Sequence, residues 1–436
     1  MNYISWKQRA AAFLTGLFVF TGVFFMGDAN EVKAADIALS EKAVTMAPAT
    51  TKTLKLKGAV AKNVKWTSNN KKVATVNSTG KVTARTKGTA KIKASYKKKK
   101  YTCTVTVAYT TYTTSDGMRY KDVKGTCAYT GRWYKKKVDG KEYYYTSTDG
   151  SAIYFKVAGS KYVDVSFVAQ VAAAIPYFAY SVDGGAMKRQ LVTKNRLNLG
   201  NTKTHYVRLV IDAMSESEDR WTGEAGIGIR SITPVTSEGA VAAIEPQNAT
   251  IAFYGDSITQ GIRVLSKKLT PAGASATNSY AWRCAEQLDW VPYFVGFGGS
   301  GIIQPGSFNN CINAIQSNSA YHKADSYDAD VIVVEHGTND VYTYGDIFIN
   351  EYKRVLNLLH QKHPKAKVVA MIPFTQIHAD EIRKAAAAYP KWCTVIETSS
   401  WKLSYTDGLH PNQSGAKKAG QNLAKKVASI RKVTLY

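Results

Sequence analysis

Ser257 stands in Gly255-Asp256-Ser257-Ile258-Thr259, directly after an apolar run, and far down the chain Asp407-Gly408-Leu409-His410-Pro411 supplies groups able to activate it. A serine hydroxyl is a poor nucleophile unless a base takes its proton during attack. His410 is the candidate base. The Asp407-x-x-His410 spacing lets the carboxylate sit beside the imidazole, where it fixes the tautomer and stabilises the imidazolium formed in the transition state. Between them lie two further polar blocks, Gly298-Gly299-Ser300-Gly301 and Gly337-Thr338-Asn339-Asp340. Singly, each residue has an ordinary structural use: Ser257 as a helix cap, Asp256 and Asn339 as partners of loop backbone, His410 as a loop residue before Pro411. As a set they fit acyl transfer, in which attack on an ester carbonyl creates an oxyanion that preorganised donors must meet.

These blocks need a scaffold that brings four separate loops to one place. From Asn248 onward, apolar runs at Thr250 to Tyr254, Tyr293 to Phe297, Val331 to Glu335, Lys367 to Ile372 and Thr394 to Glu397 read as strands covered on both faces. Helical stripes alternate with them: Tyr352, Val355, Leu356 and Leu359 in one, Ala416, Ala419, Leu423, Val427 and Ile430 in another. Such alternation predicts a parallel sheet with helices on both faces. Ligands of these sheets bind beyond the carboxyl ends of the strands, and there the first three polar blocks fall.

Taken in order, the four blocks closely resemble the signature blocks of the SGNH, or GDSL-like, hydrolases over the whole C-terminal domain. The resemblance implies an α/β/α fold with Ser257, Asp407 and His410 as the catalytic triad. It assigns the oxyanion hole to the backbone N–H of Ser257, a glycine N–H of the second block and the Asn339 side-chain amide. The run "GFGGSG" aligns Gly299 with the family glycine and leaves Gly301 as the alternative. Ser300 replaces the asparagine that many relatives carry there.

Upstream, two stretches read as all-β sandwiches. From Asp36 to Ala108 the sequence alternates apolar and polar residues in short runs such as Val73-Ala74-Thr75-Val76 and Lys91-Ile92-Lys93, broken by turn residues. The words "VKWTSNNKKVATVNSTGKVTARTKGTAKIKASY" resemble the bacterial Ig-like domain of group 2. The stretch from about Thr110 to Val241, with "SAIYFKVAGSKYVDVSFV" and "THYVRLVIDA", predicts a jelly-roll-like sandwich and resembles the N-terminal domain of carbohydrate esterase family 2. Its Trp133, Tyr143, Tyr144, Tyr145 and Trp221 read as core or turn residues before they read as sugar-stacking ones.

The expected organisation of the 436 residues is therefore a signal peptide at 1–34, an Ig-like module at 35–109, a sandwich at 110–244 and an SGNH domain at 245–436. The signal reading rests on Lys7 and Arg9, the apolar run from Ala10 to Met26, and the small residues around Ala34. It makes the protein secreted, with no transmembrane segment after cleavage. The formal charge of +26 is concentrated: Asp36 to Ala108 holds 17 Lys and Arg against 2 Asp and Glu. That charge predicts attraction to an anionic cell-wall polymer, while export argues against nucleic acid as the target. Cys103, Cys127, Cys284, Cys311 and Cys393 are scattered without paired spacing and read as buried apolar residues, with no bridge assigned.

No His-Glu-x-x-His, Walker loop, dinucleotide fingerprint or Gly-x-Ser-x-Gly elbow occurs, so neither cofactor nor metal is expected. His336 reads as supporting structure, and His205, His322, His360, His363 and His378 as surface residues. Sandwich plus SGNH domain in this order resembles carbohydrate esterase family 2, and the resemblance implies an O-acetylesterase acting on polysaccharide. A GDSL-type lipase or lysophospholipase and a surface adhesin with a decayed hydrolase domain are the alternatives. Intact Ser257, Asp407, His410 and Asn339 weigh against decay.

Overall fold

The computed structural model describes residues 37–46, 51–84, 88–107, 127–171, 174–222, 225–237, 239–244, 246, 248–306, 309–316 and 327–432. The expected signal segment and His322 lie outside the described residues. Among those described, no helix is long and apolar enough to cross a membrane.

The basic module folds as three small sheets around two hydrophobic clusters, the smallest sheet pairing Ala38–Leu39 with Leu56–Lys57. Ala43–Met46, Lys99–Val107, Gly88–Tyr96 and Lys65–Ser68 form a four-stranded sheet, and Thr51–Thr53, Lys81–Ala84 and Ala74–Val76 a three-stranded one. Alternation in sequence becomes alternation in space: Ala90, Ile92, Ala94 and Tyr96 are buried while Lys91 and Lys93 face water. The lysine run Lys97 to Lys100 makes the hairpin tip and its flank, all four side chains exposed.

The second region is built from antiparallel strands in two sheets. One contains Ala128–Thr130, Ala152–Ala158, His205–Ala213, Tyr177–Val182 and Lys188–Leu191, with Ala240–Ala243 also pairing to Ala152–Ala158; the other contains Tyr134–Val138, Lys141–Thr146, Gly226–Pro234, Tyr162–Gln170 and Arg196–Asn198. Ile153, Phe155, Phe178 and Leu209 of the first meet Val163, Val165, Ile227 and Ile229 of the second in a common core.

The C-terminal region carries a parallel sheet of β1 (Thr250–Gly255), β2 (Val291–Gly296), β3 (Val331–Glu335), β4 (Lys367–Met371) and β5 (Cys393–Ile396), in the order β2-β1-β3-β4-β5. Around it run α1 (Ser257–Gln260), α2 (Tyr280–Leu288), α3 (Cys311–Gln316), α4 (Gly345–Lys362), α5 (Ala379–Ala386) and α6 (Gln413–Arg431). Period two explains the layering. Ala252 and Tyr254 of β1 join the core beneath α3, α4 and α5. Ile251 and Phe253 join the core beneath α2 and α6. The observed strands agree with the expected ones apart from shifts of one or two residues at their ends.

The two-sheet region and this domain share both cores. Ala152 and Val210 pack into the α2/α6 core, whereas Trp221 enters the other and meets Phe297 edge-on at 5.6 Å. Tyr145 is fully buried, so it and Trp221 are packing residues. All five cysteines are buried and none forms a disulfide.

The expectation of surface histidines fails at three positions: His205, His363 and His378 are buried. His205 bonds Asp183 at 2.7 Å and Asn201 at 3.0 Å, and His378 bonds the Asp340 carbonyl at 3.0 Å. Tyr327 packs its ring against His363 at 4.5 Å. Residues distant in sequence contact these rings, which one-dimensional spacing does not display.

Candidate active site

Strand order places the site. The sheet changes direction of growth between β1 and β3, the point at which ligands of open α/β sheets bind. Ser257 leaves β1 and Asn339 follows β3, so the predicted nucleophile and amide flank that point. Asp256, not Ser257, caps α1: its carboxylate accepts the Ile258 N–H at 2.8 Å. Ser257 is thereby free of capping duty, and as the first residue of α1 it has an N–H with no intrahelical acceptor.

Although 153 residues apart in sequence, Ser257 Oγ lies 2.9 Å from His410 Nε2. His410 Nδ1 lies 2.9 Å from Asp407 Oδ2. This is the connectivity a nucleophile, base and orienting carboxylate require, with Nδ1–H donating to Asp407 and Nε2 accepting from serine. Asp407 Oδ1 accepts the backbone N–H groups of His410 at 2.8 Å and Leu409 at 3.1 Å. Arg263, from the loop after α1, donates to the same Oδ2 that holds His410. Partial burial alone would raise the Asp407 pKa, but these donors outweigh it and hold the carboxyl well below the usual range. Asp407 therefore stays ionised throughout the pH range in which an imidazole base works. Ser257 and His410 each retain 7% exposure, enough to meet a substrate from one side.

The second and third blocks are tied together by a residue that the sequence did not single out. Asp340 accepts the N–H groups of Ile302 at 2.8 Å, Ile303 at 2.9 Å and Gln304 at 3.0 Å. Gly301 packs against this carboxylate; a β-carbon there would fall 2.4 Å from its oxygens. The Gly301 N–H is also engaged, donating to Gln304 O at 2.9 Å. Gly299 instead has φ +69° and makes no hydrogen bond through its N–H among the described residues. The two N–H groups of the Asn339 amide reach Asp256 Oδ2 at 3.1 Å and Ser300 O at 2.9 Å. An oxyanion recruits this amide only by exchange with one of those bonds.

Beneath Ser257 lies a buried carboxyl pair. Burial, with the charges of Asp340 and Glu216, pushes Asp256 up to about 7, against the opposing bond from Ile258. Glu335 is raised too, by burial and by Asp256. His336 is pushed down to about 4 by burial, which keeps it neutral at pH 7. Among the described residues, no group of three or more His, Cys, Asp or Glu is placed to hold a metal ion.

Residues 253–418 match the GDSL-like Lipase/Acylhydrolase family. This region is a GDSL-like ester hydrolase domain. Residues 33–107 match the bacterial Ig-like domain of group 2. No curated protein matches the chain in sequence. Among solved structures, the chain resembles an acetyl xylan esterase from the rumen bacterium Butyrivibrio proteoclasticus at TM-score 0.57 and 17% identity, over 72% of this chain and 99% of that one. A family two carbohydrate esterase from Clostridium thermocellum, solved with cellohexaose, aligns at 0.56 and 18% identity, over 70% and 99%. One from Cellvibrio japonicus aligns at 0.58 and 19%, over 71% and 96%. These likenesses establish the fold, and at 70% to 72% of this chain they extend beyond the stretch 253–418 of the family match.

Proposed function

We propose that the protein is a secreted serine esterase that removes O-acetyl groups from polysaccharide, with Ser257, His410 and Asp407 as its triad. The observation that carries the reading is the Ser257–His410–Asp407 relay at the sheet's switch point, within a sandwich-plus-hydrolase unit resembling carbohydrate esterases. Ser257 Oγ attacks the acetyl carbonyl as His410 Nε2 takes its proton, giving a tetrahedral oxyanion. The Ser257 and Gly299 N–H groups and the Asn339 amide receive that charge; the unengaged Gly299 N–H favours this glycine over Gly301. His410 then protonates the departing sugar oxygen, and a water molecule repeats the sequence on the acetyl-enzyme. We read the two facing sheets as a jelly-roll-like sandwich and residues 1–34 as the export signal.

A lipase reading has one observation in its favour. Val341, Tyr342, Tyr344 and Ile347 are exposed just past Asn339, at 37%, 89%, 62% and 67%. Such a patch suits an apolar partner as well as a sugar face. Acetate release from acetylated xylan and mannan, set beside p-nitrophenyl esters of increasing acyl length, separates the two. The expected result is acetate release from polysaccharide and rates that fall as the acyl chain lengthens. Preference for long chains overturns the acetylesterase in favour of the lipase.

The basic module supports a second assignment, retention on an anionic wall polymer. Its exposed Lys97 to Lys100 tip adds to a field of one sign over a small surface. Exposed charges are screened over about 10 Å at 0.1 M salt, so binding to purified walls should weaken steeply with ionic strength. A chain starting at Thr110 should be retained less than the full chain at low salt. Equal retention of both removes the anchoring role and leaves a spacer.

A further inference from the structure

Glu216 reaches the active site from another domain. It follows the sandwich strand His205–Ala213, yet its carboxylate lies against the backbone of the hydrolase residue Gly298: a β-carbon on that glycine would fall 1.8 Å from Oε1. Gly298 immediately precedes the proposed oxyanion donor Gly299. The charge of Glu216 is also felt at Asp256, beside the nucleophile. Among the described residues this carboxylate has no hydrogen-bond or ion-pair partner of its own.

The same residue lines a cleft of 320 Å³ between the two domains, together with Ser215 and Ser217 from the sandwich and Leu269 and Thr270 from the loop after α1. Leu269 is 58% exposed at its rim. A binding cleft of this size with an apolar flank and a few placed polar groups holds and orients one small ring system. An unpartnered carboxylate beside hydroxyl groups is the complement of a polyhydroxylated ring, since it accepts from two hydroxyls at once. An acyl chain in the same place would strip water from the carboxylate without replacing its hydrogen bonds.

We infer that this cleft is a carbohydrate subsite built jointly by the sandwich and the hydrolase domain, in which Glu216 accepts hydrogen bonds from hydroxyls of the sugar unit at or next to the ester. The subsite rests on the carbohydrate reading given above and adds to it the residue that selects a sugar. It also gives the fused sandwich a direct role in recognition.

The test uses full-length Glu216→Ala and Glu216→Gln, with acetylated xylo-oligosaccharides and p-nitrophenyl acetate as paired substrates. The readout is the ratio of kcat/KM for the sugar ester to that for the aryl ester. Loss of a hydrogen-bonding charge should lower this ratio about 10- to 100-fold in Glu216→Ala. Glu216→Gln, which keeps one acceptor and the shape, should fall between it and the unmodified protein. An unchanged ratio overturns the subsite, even where both rates drop together, because Glu216 is then only a prop for the Gly298 loop. Unmodified protein that cleaves p-nitrophenyl acetate but releases no acetate from any acetylated sugar overturns the carbohydrate reading itself, and the subsite with it.

Discussion

Ser257→Ala should lower kcat for acetate release by about 10⁴-fold or more, because every bond-making step passes through its hydroxyl and triads act as a unit. Asp407→Asn should cost about 10⁴-fold, since an amide at this position favours the wrong tautomer of His410. The geometry sharpens the second expectation. Asp407 Oδ2 receives both His410 Nδ1 and Arg263, so an amide there either turns a donor toward one of them or presents an oxygen without charge. Steady-state hydrolysis of p-nitrophenyl acetate reads both effects, and circular dichroism checks that each variant is folded. Near-normal turnover in Ser257→Ala would remove the serine mechanism altogether.

The site's principal residues were legible because each lies in a short contiguous block whose spacing is itself the signal. Asp407 and His410 are three positions apart, and the turn between them, with Gly408 at φ +89°, folds the carboxylate onto the imidazole and its N–H. The parallel strands were legible for a different reason. Residues such as Ile251, Ala252, Phe253 and Tyr254 feed two cores in alternation, so both faces demand apolar side chains and the run stands out. What escaped the sequence is everything set by contact between distant segments. Arg263 reaches Asp407 across 144 positions, and Asp340 holds a loop 36 to 38 positions upstream. Arg263 has no local pattern that separates it from an ordinary surface charge, and Asp340, although it closes the third polar block, carries no sign there of the loop it holds. The buried histidines were misread on the same ground: His378 has its partner on the Asp340 carbonyl, 38 positions away.

Asp149→Ala tests whether the sandwich is part of the hydrolase or an appended module. Asp149 belongs to the sandwich, but its Oδ2 accepts the amide of Gln260 at 2.7 Å, and Gln260 is the last residue of α1, whose first is Ser257. The same oxygen meets Arg220 at 3.1 Å, and Oδ1 accepts the Met214 N–H at 2.9 Å. A second anchor lies nearby: Asp212 accepts Thr277 N–H at 2.8 Å and Arg189 at 2.6 Å, and Arg189 also donates to Pro271 O and Ala274 O. Arg220 is fully buried, so removing Asp149 deletes the carboxylate that its Nη1 meets in the interior. Breaking a buried pair in this way costs about 3–5 kcal/mol of stability. Thermal unfolding should therefore shift down in Asp149→Ala. The fraction that remains folded should turn over more slowly, since α1 has lost the bond that fixes its end. Asp149→Asn, which keeps an acceptor for Gln260, should recover part of the turnover but little of the stability. If instead Asp149→Ala unfolds at the original temperature with full activity, the sandwich does not support the nucleophile's helix.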